Sequence, residues 1–345
     1  VTALLVASTG GHLAELHHLA PRLAVEDRCW ATFDTPQSRS LLAGEEVVHV
    51  PAATSRDLIG TVRDLLVANT MFRRRRFSRV ISTGASVAMA FFVPATAAGI
   101  ECYYIESATR TGGPSLTGRL VARVPRTHLY TQYPSWADRR WHYGGSIFDA
   151  FAAHRTESTR PVQKIVVTLG THQKYRFPRL LRRLVAILPE SAEILWQVGA
   201  TEIENMPVGA RHQVPISEMQ DAMREADVVI AHAGVGSALA AMGAGRRAIC
   251  VPRRQRYGEH VDDHQVELAR ELDQRRLVLA READAITSAD LRLAAAWSVR
   301  ADPRLVPFRL VPGSHRAEEH SGLQSGDANR SDRLVDGEWD SRPAG

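Results

Sequence analysis

Two stretches of the chain gather residue types that can hold a charged, hydroxyl-rich ligand. The first runs from residue 227 to residue 269. It opens with an apolar, β-branched run at 227–231, of the length expected for a buried strand, and continues through His232, Ala233, Gly234, Val235, Gly236 and Ser237 into a helix of small residues. Strand, glycine loop and helix together aim unpaired backbone N–H groups at an anion, and the helix dipole adds partial positive charge. A second strand at 247–252 leads to Arg253, Arg254 and Arg256, then to Glu259, His260, Asp262, Asp263, His264 and Gln265. A phosphate cradle beside a cluster of hydroxyl-reading groups suggests a nucleotide-sugar site. Each part also has a plainer reading. His232 caps a turn at a strand end, the three arginines form a solvated face, and His260 and His264, one helical turn apart, are half of a metal site with no third ligand evident.

The second stretch is at the N-terminus. A short strand at 3–7 ends in Ser8-Thr9-Gly10-Gly11-His12, and residues 13–23 follow with Leu13, Leu16, Leu19, Ala20 and Leu23 on one helical face. The glycines permit positive φ and a close backbone approach. Two roles are open to His12. As a general base it takes the proton of a hydroxyl, since imidazole is the side chain nearest half-protonation at neutral pH; as a structural residue it only closes the loop. Glu15 reads as a first-turn partner of the dipole as readily as a chemical group.

Other segments join this pair. Glu106 ends a predicted strand, Arg110 and Arg119 follow it, and a carboxylate raised by burial is a second candidate base. The arginines either lower its pKa or bind an acceptor's diphosphate. Gly170 and Thr171 close a strand at 164–169, where a loop can touch a donor's phosphates or the acceptor, or be a turn with no ligand. A helix at 58–72 runs into Arg73, Arg74, Arg75 and Arg76. These cations suit either a helix C-terminus or an anionic membrane surface, where each basic residue contributes about 1 kcal/mol.

Composition frames these sites. The 345 residues, 44% apolar and 23% charged, suit a globular protein with room for two domains. A net charge of +5, with no basic stretch interleaved with aromatics, argues against nucleic-acid binding. Cys29, Cys102 and Cys250 fall singly in predicted strands, which argues for reduced thiols and a cytoplasmic setting. No signal peptide is read at the start, and no apolar run approaches 18 residues, so membrane contact is expected to be peripheral. Strands at 28–33, 46–50, 79–82 and 101–105 alternate with helices in the first half. Strands at 193–199, 211–214 and 277–279, with helices at 177–188, 216–224 and 288–298, continue the pattern. Such alternation predicts parallel sheets covered on both faces, with ligands at the C-terminal strand edges. We expect domains at 1–150 and 164–300, a linker at 151–163, and a largely disordered polar tail at 301–345.

The sequences HAGVGS, VPR and GEHVDDHQ, in that order, resemble the donor-binding half of family 28 glycosyltransferases. The TGGH loop, the IES followed by SLTG at 105–118, and VTLGT at 167–171 resemble the acceptor side and the start of the second domain of the same group. The resemblance implies an α/β GT-B fold, two Rossmann-like domains facing across a cleft. It implies inverting transfer of a hexose-type sugar from a UDP-sugar, without metal or other cofactor, in cell-surface polysaccharide synthesis. The favoured acceptor is a polyprenyl-diphosphate saccharide at the cytoplasmic membrane face. A soluble acceptor, a non-catalytic nucleotide-sugar binder and, more remotely, an epimerase are the alternatives. On this reading His232, Gly234, Gly236, Ser237 and Arg253, with Gly170 and Thr171, hold the donor's phosphates. Glu259, His264 and Gln265 read its sugar. Gly10, Gly11, Arg110 and Arg119 serve the acceptor, with His12 or Glu106 as base. The sequence departs from the family at Ala240, where a glutamate binding the ribose is expected.

Overall fold

A computed structural model describes residues 2–51, 58–156, 161–302 and 306–310. The first lobe is built on seven strands: β1 (Ala3–Val6), β2 (Arg28–Phe33), β3 (Glu46–Val50), β4 (Arg79–Ser82), β5 (Glu101–Ile105), β6 (Thr127–Thr131) and β7 (Trp141–Tyr143). All pair in parallel, in the order β3-β2-β1-β4-β5-β6-β7. The chain reverses direction of travel at β1, so the loop after β1 sits at a topological switch point, where open sheets bind ligands. Side chains of β1 alternate between two cores. Leu4 and Val6 join α3 (Leu58–Arg74) and α4 (Ser86–Ala97), while Leu5 meets α1 (Gly11–Leu19) on the opposite face. The shorter α2 (Pro36–Leu41) lies beside α1, and α5 (Leu116–Val121) beside α4.

The face predicted for the first helix, Leu13, Leu16, Leu19, Ala20 and Leu23, is buried throughout, each leucine contributing about 2 kcal/mol of transfer free energy. That core does not stop at the first lobe. It continues into Val229, Val235, Ala238 and Leu239 of the second, so an apolar contact joins the lobes.

After β8 (Phe151–Arg155), the second lobe repeats the layout with β9 (Lys164–Thr168), β10 (Glu193–Gln197), β11 (Val228–His232), β12 (Ile249–Val251) and β13 (Leu279–Ala280), all parallel. Their order is β10-β9-β11-β12-β13. Its helices are α6 (Pro178–Ile187), α7 (Ile216–Glu225), α8 (Val235–Gly243), α9 (His264–Gln274) and α10 (Ser288–Ala295).

The structure departs from the expected layout at four places. Residues 151–155, read as the start of the linker, form β8, which pairs antiparallel with β14 (Trp297–Ala301). The helix expected through 298 therefore stops at Ala295. Residues 211–214 form no strand; a single bridge joins Arg211 to Gln197. Residues 306–310, read as tail, return to the first lobe: the Phe308 and Arg309 amides donate to Arg22 and Gly144 carbonyls at 2.9 and 2.8 Å. The signal was present but faint. Val306, Phe308 and Leu310 alternate with period two, and Phe308 and Leu310 are buried while Val306 is exposed. Residues 303–305 and 311–345 of the expected tail lie outside the described residues, as do 157–160 of the expected linker.

Glu15 fastens α1 to the loop after β5. Its carboxylate accepts from Ser107 Oγ at 2.6 Å, the Ala108 amide at 2.9 Å and Gln132 Nε2 at 3.2 Å. Burial pushes its pKa from 4.5 up to about 7, against these three donors.

This packing has two measurable consequences. Phe308→Ala empties a site beside Gly144, which a Cβ would already overfill, and should lower unfolding free energy by about 3 kcal/mol in urea titration. Glu15 titrates at higher pH folded than unfolded, so the stability it contributes is complete below pH 4.5 and lost as pH rises to about 7. Glu15→Gln cannot ionise, and should gain on wild type by about 2 to 3 kcal/mol across that window. Urea titrations at intervals across it would give parallel curves for the two proteins if the assignment is wrong.

Candidate functional site

A cleft of about 730 Å³ lies where the C-terminal strand edges of the lobes face each other. Its floor is made by two glycine loops. Gly10 and Gly11 lead into α1, while Gly234, Val235, Gly236 and Ser237 lead into α8. The two helix N-termini are packed against one another. A Cβ on Gly11 would stand 2.8 Å from Val235 Cγ1, and one on Gly236 3.7 Å from the Gly11 Cα. Gly10 adopts φ of 92°, which favours glycine. Both dipoles thus direct positive potential, with their unpaired amides, at one space.

The second lobe supplies most of the polar wall. The imidazole of His232 is sandwiched between Gly170 and Gly234, where Cβ atoms would come within 2.7 Å of Cε1 and 2.4 Å of Nε2. Burial, then the Arg253 charge, pushes its pKa down to about 3, so it is neutral at physiological pH. Arg253 is only 3% exposed. Its guanidinium lies 5.6 Å from the Phe177 ring centroid, donates through Nη2 to the carbonyls of Leu169 and Tyr175, and leaves Nε without a partner among the described residues. Burial lowers its pKa to about 10, which still leaves it charged. Thr171, His264 and Ala240 complete this side of the wall.

Several residues expected to read the sugar are engaged elsewhere. Glu259 is buried, and its carboxylate takes both Arg179 Nε and Nη2 at 3.1 Å together with the Arg254 amide at 2.9 Å. Gln265 accepts the Arg253 amide at 3.0 Å and holds the turn after β12. Neither lines the cleft; His264 does. The ligand atoms of His260, Asp262 and His264 lie within 4.8 Å of one another, so Asp262 is the third group that spacing alone did not reveal. Asp262 already accepts from His264 Nδ1 and lies 3.4 Å from Arg110 Nη1 of the first lobe. Charge on this cluster is therefore met within the protein.

The first lobe reaches across at that point. Arg110 stands on the loop after β5, and the neighbouring Thr111 donates to Glu267 Oε2 at 2.6 Å. Glu106 organises this loop rather than the cleft. Only 1% exposed, it accepts from the amides of Ser107 and Ser115 at 3.2 and 2.9 Å and from Ser115 Oγ at 3.1 Å. Gly118 is obliged by the same carboxylate, since a Cβ there would come within 2.2 Å of Oε2. Burial raises the Glu106 pKa.

His12 is placed behind the glycine loop, its ring against Gly84. Its Nδ1 lies 2.9 Å from the Thr83 carbonyl, which can only accept, so Nδ1 carries the proton and Nε2 keeps a lone pair. Burial and the Arg110 charge lower its pKa. Arg119 is exposed on α5, away from the cleft, bordering a shallow surface pocket with Arg123, Arg140 and Trp141. The run from Arg73 to Arg76 lies at the N-terminal strand edge, opposite the cleft, because α3 leads from the end of β3 to the start of β4. Arg75 there is paired with Glu46 and bonded to Thr2.

Sequence reasoning missed the rest of the cleft. Thr109, Gln197, Gln213, Val214, Ile216, Met219 and Gln220 line it, together with Gln37 from the first lobe. The unpatterned residues before α7 carry no motif, and no spacing signals that they face a cavity.

Residues 164–288 match the glycosyltransferase family 28 C-terminal domain. The chain superposes on the crystal structure of Acinetobacter baumannii MurG with a TM-score of 0.50 at 18% identity, over 85% of this chain and 89% of that one. The glycosyltransferase SnogD from Streptomyces nogalater gives 0.51 at 18% identity over 89% and 92%. The S. aureus MnaA–UDP co-structure gives 0.50 at 9% identity over 85% and 94%. No curated protein matches the sequence. At such identities these structures speak to fold, and they agree with the family match in the second lobe. Residues 164–288 thus match a family 28 glycosyltransferase C-terminal domain, and the chain as a whole has a two-lobed GT-B fold similar to that of MurG.

Proposed function

We propose that the chain is an inverting glycosyltransferase that moves a hexose-type sugar from a UDP-sugar to a hydroxyl of a polyprenyl-diphosphate-linked glycan, without a metal. The observation that carries this reading is the pair of glycine-loop helices, α1 and α8, ending on one cleft from opposite lobes. The α8 amides suit the donor's diphosphate. As the bond to the sugar breaks, charge gathers on the departing phosphate oxygen, and fixed dipoles stabilise it without reorganising. The apolar wall of Val214, Ile216 and Met219 suits a flat base, and Gln213 and Gln220 offer neutral partners for ribose hydroxyls where Ala240 leaves no carboxylate.

On the acceptor side, the His12 tautomer supports its role as base. Its Nε2 lone pair takes the hydroxyl proton while Nδ1–H stays on Thr83. Glu106 then acts by shaping the Ser107–Ser115 loop. A membrane-bound acceptor is supported by the outer face of the first lobe. Val62 and Leu66 on α3, Val93 on α4, and Leu116 and Leu120 on α5 are 57, 58, 42, 72 and 43% exposed. No helix of the described residues is long and apolar enough to cross a membrane. Contact through that face, with exposed arginines nearby, keeps the lipid-linked substrate beside the cleft.

The deciding experiment is mass spectrometry of lipid products after incubation with membrane lipid extract and a panel of UDP-sugars. A lipid heavier by one sugar, with UDP released, is expected. Silence across the panel would leave only a nucleotide-sugar binder. His12→Ala should lower kcat about a hundredfold or more with little change in donor affinity; unchanged kcat removes it as base. Leu116→Glu with Leu120→Glu should abolish flotation with anionic vesicles while leaving UDP binding intact, and undiminished flotation would move the membrane contact elsewhere.

A further inference from the structure

Diphosphate binding alone leaves one charge of the cleft unexplained, and the role assigned to it here rests on the UDP-sugar reading of the site. Arg253 is almost wholly buried, yet its bonds go to the carbonyls of Leu169 and Tyr175, which fix the guanidinium plane without compensating its charge. Its Nε has no partner among the described residues. Glu259 attracts this charge but is itself committed to Arg179 and the Arg254 amide; a buried cation so shared is costly, so a further anion is expected from a ligand.

The surrounding carboxylates are already engaged. Both oxygens of Glu259 are taken by Arg179 and the Arg254 amide, Glu282 pairs with Arg254, and Asp262 pairs with His264 and Arg110. Among the described residues the cleft lining contains no aspartate or glutamate, the groups that would accept hydrogen bonds from a neutral sugar's hydroxyls. The diphosphate has its own holder in the α8 amides on the loop after β11. Arg253 stands on the loop after β12, one strand away, in the same cleft wall as Thr171 and His264. Two anion holders therefore lie side by side.

We propose that Arg253 reads a carboxylate on the sugar being transferred, so that the donor is a nucleotide-linked sugar acid of the uronate class rather than a neutral hexose. A guanidinium held in plane through Nη2 keeps its Nε and Nη1 hydrogens as single donors for a carboxylate oxygen of a ligand. Backing by the Phe177 ring keeps that plane in place. The same charge disfavours nothing in a neutral sugar by contact; it disfavours it by leaving the cation unpaired.

Calorimetric titration of the full chain with UDP, UDP-glucose and UDP-glucuronate tests this directly. Wild type should bind UDP-glucuronate about tenfold or more tighter than UDP-glucose. In Arg253→Gln that preference should fall to within about twofold, with UDP alone changed by less than about threefold. Equal or tighter binding of UDP-glucose by wild type overturns the proposal, and needs no variant to fold. Equal losses of UDP and UDP-glucuronate in Arg253→Gln overturn it too, by assigning the arginine to the diphosphate. Failure of all three to bind overturns the donor reading itself, and this proposal with it.

Discussion

The architecture depends on how closely two helix ends can approach. The N-termini of α1 and α8 repel as dipoles, yet Gly11, Val235 and Gly236 bring them into contact. What holds them is apolar burial behind the loops, a core continuous from Leu13 and Leu16 to Ala238 and Leu239. The electrostatic cost of facing like poles is then relieved by whatever anion enters the cleft. Fold stability and ligand charge would be coupled through this one contact, since packing sustains an arrangement that an anion in the cleft would relieve.

Around that centre, charges fall into two kinds. Arginine–carboxylate pairs such as Arg179–Glu259 and Arg254–Glu282 are partly or wholly buried and fix the loops after β12 and β13. Arg110–Asp262 is different, since both partners are a third exposed and belong to opposite lobes. Exposed pairs of this sort contribute little stability. The buried carboxylates of the first lobe, Glu15 and Glu106, shape the loop that carries Arg110. One bonds Ser107 and Ala108, the other Ser107 and Ser115.

Chemistry at such a centre needs little machinery beyond placement. Burial holds both His232 and His12 below their ordinary pKa, so neither adds charge beside the cleft at neutral pH. In the proposed reaction leaving-group charge would fall on the α8 amides, and the hydroxyl proton on His12, whose tautomer the Thr83 carbonyl selects. The outer face of α3, α4 and α5 exposes leucines and valines, the surface through which the membrane-bound acceptor is proposed to be met.

Much of the fold and of the cleft floor was legible in residue order alone. Apolar runs of four to six residues between helical stretches announced parallel strands, because a strand covered on both faces has no polar side to show. Glycine loops at Gly10–Gly11 and Gly234–Gly236 announced anion sites, because only glycine allows backbone amides so near a ligand and a neighbouring helix. The period-two signal of residues 306–310 was too short to rise above its polar surroundings. Partnership, by contrast, was decided only in three dimensions. Glu259 and Gln265 looked like ligand readers beside His264, but Arg179 and the Arg253 amide, brought in by separate segments, claim their oxygens. Asp262 joined His260 and His264 in the folded loop, and Arg253 Nε was left without a partner among the described residues because Glu259, which attracts this guanidinium, is taken by Arg179 and the Arg254 amide. Backbone geometry is local and follows from residue type and spacing. Whether a charged side chain is satisfied depends on neighbours distant in the chain, and that only folding determines.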